Sequence, residues 1–418
     1  MKGWGKMIQE KYLGKDFALL IAGQIVSLFG NAILRFSLPL YLLRLTGSSV
    51  LFGIVTACSF LPMIVLSILG GVMADRINKR NIMVGLDFIT TIIVTACYLL
   101  LDKVPVIPLL MVVLMLLYGI AGMEQPTVQA SVPALVRKEG VLKANAIVTQ
   151  VGSLANFIGP ILGGMLFGVG GILPILEISS VCFFLATVME LFLVIPYEKT
   201  TKSQRVLRTV KSDLLESWQF IRLEKPVFLH VCAIITVLNM TLSAMLTIGI
   251  PVLLIDVLEV TDQMLGITQG MLAAGGLTGG LLLFIFGKVM NVERAFVLLF
   301  LCSGCTLIIG ITMLVCKSVM PAYLLLSSMS FLVTVFSTTF SIQMLALVQT
   351  ETPKHLVGKV IASIIALIMC AQPIGQLIYG MLFELFSKDT WSILLGTTVI
   401  SFSVSIYSIK VFMNLKGD

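Results

Sequence analysis

Residues 158–167 read IGPILGGMLF, and 216 positions later residues 374–383 read IGQLIYGMLF. Ile158-Gly159 is matched by Ile374-Gly375, and Gly164-Met165-Leu166-Phe167 by Gly380-Met381-Leu382-Phe383. Just upstream, at the same offset, Lys138, Val141, Lys143 and Ala146 are matched by Lys354, Val357, Lys359 and Ala362. A quieter echo runs through polar residues at an offset of 212. Gln24, Ser27, Asn31 and Arg35 share their spacing with Thr236, Asn239, Ser243 and Thr247, and Tyr118, Gln125 and Gln129 with Ser330, Ser337 and Ser341. A chain that echoes itself at about half its length is read as a duplicated module.

Outward from the repeat the sequence is apolar nearly throughout. Of 418 residues, 58% are hydrophobic and 12% charged, and the mean hydropathy is +1.06. A soluble domain carries roughly 25% charged residues, so hydrocarbon must replace water around most of this molecule. A membrane span needs about 20 apolar residues. Twelve candidates fit: 17–43, 49–73, 81–101, 107–135, 144–167, 174–197, 226–255, 263–287, 295–316, 320–347, 360–386 and 391–413. The first follows a polar N-terminus without a small-residue cleavage site, so it is expected to be retained rather than removed as a signal peptide. The expected fold is an all-α membrane protein of twelve transmembrane helices in two pseudo-symmetric six-helix bundles, 1–197 and 226–418. The linker at 198–225 repeats Leu207, Val210, Leu214, Trp218 and Ile221 at helical spacing among basic residues, and is expected to lie along the inner membrane surface.

Lys and Arg collect in alternate connections. Four precede the first span, three lie at 76–80, three at 137–143, seven in 198–225, and two each at 288–294, 354–359 and 410–416. The intervening connections hold only Arg44, Lys103, Lys317 and Lys388. Basic residues remain on the cytoplasmic side, so both termini are expected there, in the cell membrane. The formal charge of +7 therefore reports topology, and no nucleic-acid partner is expected. The eight cysteines all lie in or beside apolar runs and form no loop framework. Cys302 and Cys305 make a C-x-x-C inside an apolar helix and read as small buried hydrophobes. With only two histidines, far apart, no metal site is expected; no catalytic constellation stands out, so neither an enzymatic activity nor a cofactor is expected. Gly266, Gly270, Gly275, Gly276, Gly279 and Gly280 crowd the eighth span. No Gly-Lys-Ser/Thr follows, so they are read as helix-packing positions rather than a phosphate loop.

The connection between spans two and three reads Gly71-Val72-Met73-Ala74-Asp75-Arg76-Ile77-Asn78-Lys79-Arg80. It resembles the major facilitator signature G-x-L-A-D-R-x-G-R-R, with Asn78 in place of the second glycine. That resemblance implies a gate made and broken during alternating access, carried by Gly71, Asp75, Arg76, Lys79 and Arg80. The wider resemblance is to the macrolide-efflux branch of the drug–proton antiporters. It rests on residues 22–28, AGQIVSL, on Ile82-Met83-Val84-Gly85 with Asp87, on Lys143-Ala144-Asn145-Ala146, and on Gly358-Lys359-Val360. Gly159-Pro160 and Gly163-Gly164 look like part of an antiporter motif, although Ala155 stands where that motif usually has glycine. Leu117 and Tyr118 stand where many members carry arginine. The resemblance implies a monomeric secondary exporter of amphipathic drugs such as macrolides, driven by protons and without a cofactor. Alternatives are a selective carrier of a lipid, siderophore or metabolite and, more remotely, a membrane-embedded sensor.

Ionisable groups inside a bilayer cost several kcal/mol, so they need a partner, water or a purpose. On the first span Gln24, Ser27, Asn31 and Arg35 fall within about 40° of one face at 100° per residue. On the fourth, Glu124 and Gln125 precede Pro126. The resemblance implies that spans 1, 4, 7 and 10 line the cavity. The expected cavity set is thus Gln24, Asn31, Arg35, Tyr118, Glu124, Gln125, Asn239 and Ser337. Arg35 and Glu124 are expected to approach each other, with Glu124 as the coupling carboxylate. A permanent structural ion pair is the competing reading. Of the other acids, Glu190 is expected to snorkel or pack at a peripheral helix, Glu177 to sit near the outer mouth, and Asp87 to support the gate.

Overall fold

The structure is a computed structural model describing residues 14–137, 140–196, 216, 218–286, 292–353 and 356–413. Twelve helices among the described residues are long and apolar enough to cross a bilayer. They are α1 (Lys15–Thr46), α2 (Ser49–Arg76), α3 (Lys79–Leu100), α4 (Val106–Leu135), α5 (Val141–Gly170) and α6 (Leu173–Leu191). They continue with α7 (Val227–Val257), α8 (Asp262–Phe286), α9 (Phe296–Val315), α10 (Val319–Glu351), α11 (Val357–Leu385) and α12 (Thr390–Met413). The expected spans are all present. The linker positions Leu207, Val210 and Leu214 lie outside the described residues.

Local chemistry explains where several helices start and stop. The Asn78 side chain accepts from the Arg80 backbone N–H at 3.0 Å and caps α3. Gly47 and Gly171 take φ +60° and +68° in the α1–α2 and α5–α6 turns, a region glycine enters without steric cost. The sequence expectation for the sixth span ran to 197, but α6 stops at Leu191. Residues 192–196 are apolar without being helical, because Leu193 and Ile195 fill a core with Phe17, Leu20 and Val132. The Asp16 carboxylate meanwhile accepts from the Val194 N–H at 3.1 Å. Apolar composition alone does not reveal that change of direction. In α7, three stretches, Asn239–Ser243, Met245–Gly249 and Leu253–Val257, widen into i→i+5 turns.

The chain forms two compact units. The first comprises Met1–Leu45, Cys58–Ser203 and Asp262–Gly270, the second Thr46–Ala57, Gln204–Thr261 and Met271–Asp418. In the first unit α3 packs along α6 and α4; in the second α9 packs along α12 and α10. The same neighbours recur six helices later, which is what a duplicated module produces. Hydroxyls join α9 to α12, with Ser303 Oγ 2.8 Å from Ser401 Oγ and 3.2 Å from Ser405 Oγ. Such side chains hold helices together where both faces are apolar. Large apolar residues also cover the outside, among them Val65, Ile92, Val181, Leu281 and Val399. Water would penalise such a surface and lipid does not.

The glycines of α8 allow close helix crossings. A Cβ on Gly266 would lie 2.6 Å from the Pro160 carbonyl oxygen of α5, and one on Gly279 2.5 Å from the Val335 oxygen of α10. At the start of α2, the Glu384 carboxylate of α11 accepts from Ser48 Oγ at 3.1 Å, Ser49 Oγ at 3.3 Å and the Val50 N–H at 3.2 Å. Anions are favoured at a helix N-terminus, where backbone N–H groups lack partners. The eight cysteines are free, with Cys302 and Cys305 buried in α9.

Candidate functional site

In the first unit, α1, α4 and α5 enclose a cavity of about 380 Å³. From α1 come Gln24, Asn31 and Arg35, and from α4 come Glu124, Gln125 and Gln129. The polar stripes seen in the sequence therefore converge on one space. The third wall was not anticipated: Thr149, Gly152, Ser153 and Asn156 of α5 face the same cavity. Their helical spacing was readable, but no charge drew attention to it. Leu28, Ala32, Ala121, Val128, Val148 and Ala155 complete an amphipathic lining.

The side chains are arranged differently from expectation. Glu124 is buried, 5% exposed, and accepts from Gln24 Nε2 at 3.0 Å. Arg35 and Glu124 make no ion pair among the described residues, although they lie within electrostatic reach. The guanidinium of Arg35 instead stacks 3.8 Å from the centre of the Tyr118 ring, with Nη2 3.8 Å from Met63 Sδ. A cation over an aromatic face is attracted by the ring quadrupole. Arg35 Nε and Asn31 Oδ1 are buried without a hydrogen-bond partner. Tyr118 thus positions the arginine rather than lining the cavity itself.

Behind the cavity wall lie two more acids. Ser27 Oγ donates to Asp87 Oδ1 of α3 at 2.9 Å, and Asp87 is 2% exposed. Glu190 of α6 is 1% exposed. It packs on α1 with Cγ 3.4 Å from where a Cβ on Gly23 would stand. Of the two expectations for Glu190, packing holds and snorkelling does not, because α6 packs along α3 and its Glu190 side chain rests against α1 at Gly23. Asp87 faces this interior rather than the α2–α3 connection.

The remaining expected residues are distributed as follows. Asn239 and Ser337 belong to the second unit and bond back onto their own helices, to Ile235 O at 3.0 Å and Thr334 O at 3.3 Å. Gly159 and Gly163 of α5 abut Ala32 and Phe36 of α1, while Pro160 and Gly164 abut Gly266. The antiporter-like motif is a close-packing seam. In the gate motif Arg80 donates to the Leu191 carbonyl at the end of α6, and Lys79 opens α3. Gly71, Asp75 and Arg76 are helical, and their side chains lie outside the described residues. Among the described residues no group of His, Cys, Asp and Glu is arranged to hold a metal ion.

The family model described as Major Facilitator Superfamily matches residues 20–375. Macrolide efflux protein A of Streptococcus pyogenes is 24% identical over 396 residues, covering 93% of this chain and 94% of that protein. The staphyloferrin A transporter of Staphylococcus aureus is 24% identical over 259 residues, 61% of this chain and 63% of that protein. Among solved structures, the nucleoside transporter NupG superposes with a TM-score of 0.75 at 10% identity, covering 96% of this chain and 99% of that one. A bacterial homologue of the human lysosomal transporter Spinster gives 0.73 at 13% identity, over 95% and 96% of the two chains. These structural likenesses establish the fold.

Proposed function

The chain belongs to the Major Facilitator Superfamily, a secondary transporter of a small molecule and not an enzyme, and from that premise we propose that it exports amphipathic compounds of the macrolide kind in exchange for protons. The observation that carries this reading is the cavity of α1, α4 and α5, whose wall mixes amides, hydroxyls, the Arg35 guanidinium and one buried carboxyl with small apolar side chains. Such a mixed lining suits amphipathic molecules that present both polar groups and apolar surface. Glu124 opens onto that space and is held by a neutral amide rather than by a cation. A carboxyl so placed takes up and releases protons without breaking an ion pair, which suits a coupling group. The relative whose name denotes macrolide efflux supports the outward direction.

In this reading the protein is a monomer of the cell membrane with both termini cytoplasmic. The halves 1–197 and 226–418, joined by 198–225, tilt alternately so that the substrate path opens to one side at a time. The motif of Gly71, Asp75, Arg76, Lys79 and Arg80 holds the cytoplasmic ends together in one of those states. Glu124 takes a proton from outside as substrate leaves and returns it inside as substrate binds.

Drug susceptibility of a pump-deficient host tests the reading. Expression of the wild type is expected to raise resistance to macrolides, and Glu124→Gln to return it to that of the empty host. In inside-out vesicles, acidifying the interior should drive accumulation by wild type alone. Unchanged resistance with the wild type removes macrolide export; wild-type transport by Glu124→Gln removes the coupling role.

A second reading is favoured by one observation. Arg35 carries a charge into the cavity with no carboxylate partner among the described residues, which suits an anionic substrate such as a carboxylate siderophore. Arg35→Gln should then abolish binding of a citrate-type siderophore while sparing macrolides.

A further inference from the structure

Three acids from three helices meet in the first unit, and only one of them reaches the cavity. Glu124 lines it; Asp87 and Glu190 do not. Each lies within electrostatic reach of the other two. Nothing about the spacing of 87, 124 and 190 announces this. Helix pairing does: α3 packs along both α4 and α6, and α1 closes the front with Gln24 and Ser27.

The hydrogen bonds available do not satisfy this many charges. Gln24 serves Glu124 and Ser27 serves one oxygen of Asp87. Asp87 Oδ2 and both carboxyl oxygens of Glu190 are buried without a donor. The charged groups around them are few. Arg35 of α1 lies near Glu124, stacked on Tyr118. Arg80 of α3 is committed to the Leu191 carbonyl, and Asp16 of α1 to the Val194 N–H. Three ionised carboxyls with a single arginine nearby would leave excess negative charge in a dry interior, where even one unpaired ion costs several kcal/mol. A bound metal ion would relieve it, but the group lacks an arrangement that holds one. Protons relieve it as well, and a protonated carboxyl becomes the donor that its neighbour lacks.

We propose that Glu190 and Asp87 form a proton reserve behind Glu124, so that the cluster holds protons jointly and exchanges them with the cavity through Glu124. This rests on the proton-coupled reading given above. In the exchange an O–H bond on Glu190 breaks as one on Glu124 forms. Glu190 becomes the carboxylate and Glu124 the acid, and the charge of the cluster changes only when Glu124 releases its proton to the cavity. Glu190 contacts no substrate and acts through Glu124, which makes it a positioning residue for the proton.

Infrared spectroscopy of the full-length protein in detergent tests this without any substrate. At neutral pH the wild type should show a protonated-carboxyl C=O band that shifts in D2O. Glu190→Gln should remove part of that band and Glu190→Asp restore it, whereas Glu177→Gln, at an exposed acid of α6, should leave it intact. Asp87→Asn should likewise diminish it, so the outcome does not hang on one variant folding. A spectrum unaltered by both Glu190→Gln and Asp87→Asn overturns the proposal. A sodium-dependent spectrum with no protonated band overturns it in favour of a metal cation. If the wild type exports no macrolide, the drug-export reading fails, and the infrared result still decides whether the cluster holds protons.

Discussion

Arg35 rests its guanidinium on Tyr118, and that contact sets where this cation, without an ion-pair partner among the described residues, points in the cavity. Cation–π attraction is worth about 1–2 kcal/mol when the pair is shielded from water. Tyr118→Leu should therefore lower stability in detergent by about 1–2 kcal/mol, while Tyr118→Phe, which keeps the ring, should retain most of it. Thermal unfolding of the two variants beside wild type checks this. Equal loss in both would assign the effect to the hydroxyl instead. At this scale the sequence was partly legible. The 7- and 4-residue spacing of Gln24, Asn31 and Arg35 places them on one face because an α-helix repeats every 3.6 residues. Their partners were not legible, because partners come from other helices. Glu124 pairs with Gln24 rather than Arg35, and of snorkelling and packing it is packing that Glu190 adopts.

Among the elements, glycine decides where helices can touch. Gly266 of α8 meets backbone from α5, with the Pro160 oxygen 2.6 Å and the Gly164 Cα 3.1 Å from any Cβ it gained. Neither is the end of a flexible side chain, so Gly266→Val must push the helices apart, at a cost of about 1–3 kcal/mol. Gly304 of α9 has open space where its Cβ would stand. Gly304→Ala should be neutral or stabilising by up to about 1 kcal/mol, since alanine favours the helix. Unfolding midpoints of both variants separate the predictions, and a tolerated Gly266→Val would show that the crossing is looser than its geometry. The glycine-rich run of the eighth span was readable as packing, but which glycine meets which helix was not. The twelve helices themselves were the most legible feature, since about 20 apolar residues in a row have few other uses. The early end of α6 and the capping of α2 by Glu384 are not legible in the sequence, because both depend on residues distant in it.

For the whole molecule, the distribution of charge makes a prediction that no single residue does. Twelve helices return the chain to the side it started from, and lysine and arginine gather in every second connection. A basic segment crosses a membrane reluctantly against the potential, so the proposed orientation keeps those connections inside. Alkaline phosphatase is active only outside the cytoplasm, whereas green fluorescent protein carried out by the general secretory route stays dark. Phosphatase joined after Lys103 or Lys317 should therefore be active, and after Arg137 or Arg294 inactive. Fluorescent protein joined at either terminus should glow. Activity after Arg137 would reverse the orientation and make the proposed direction of proton flow untenable, because the α2–α3 motif would then face outward. A mixed pattern along the chain would break the parity on which the duplicated module depends. The test needs no knowledge of the substrate, and it constrains every mechanistic statement at once.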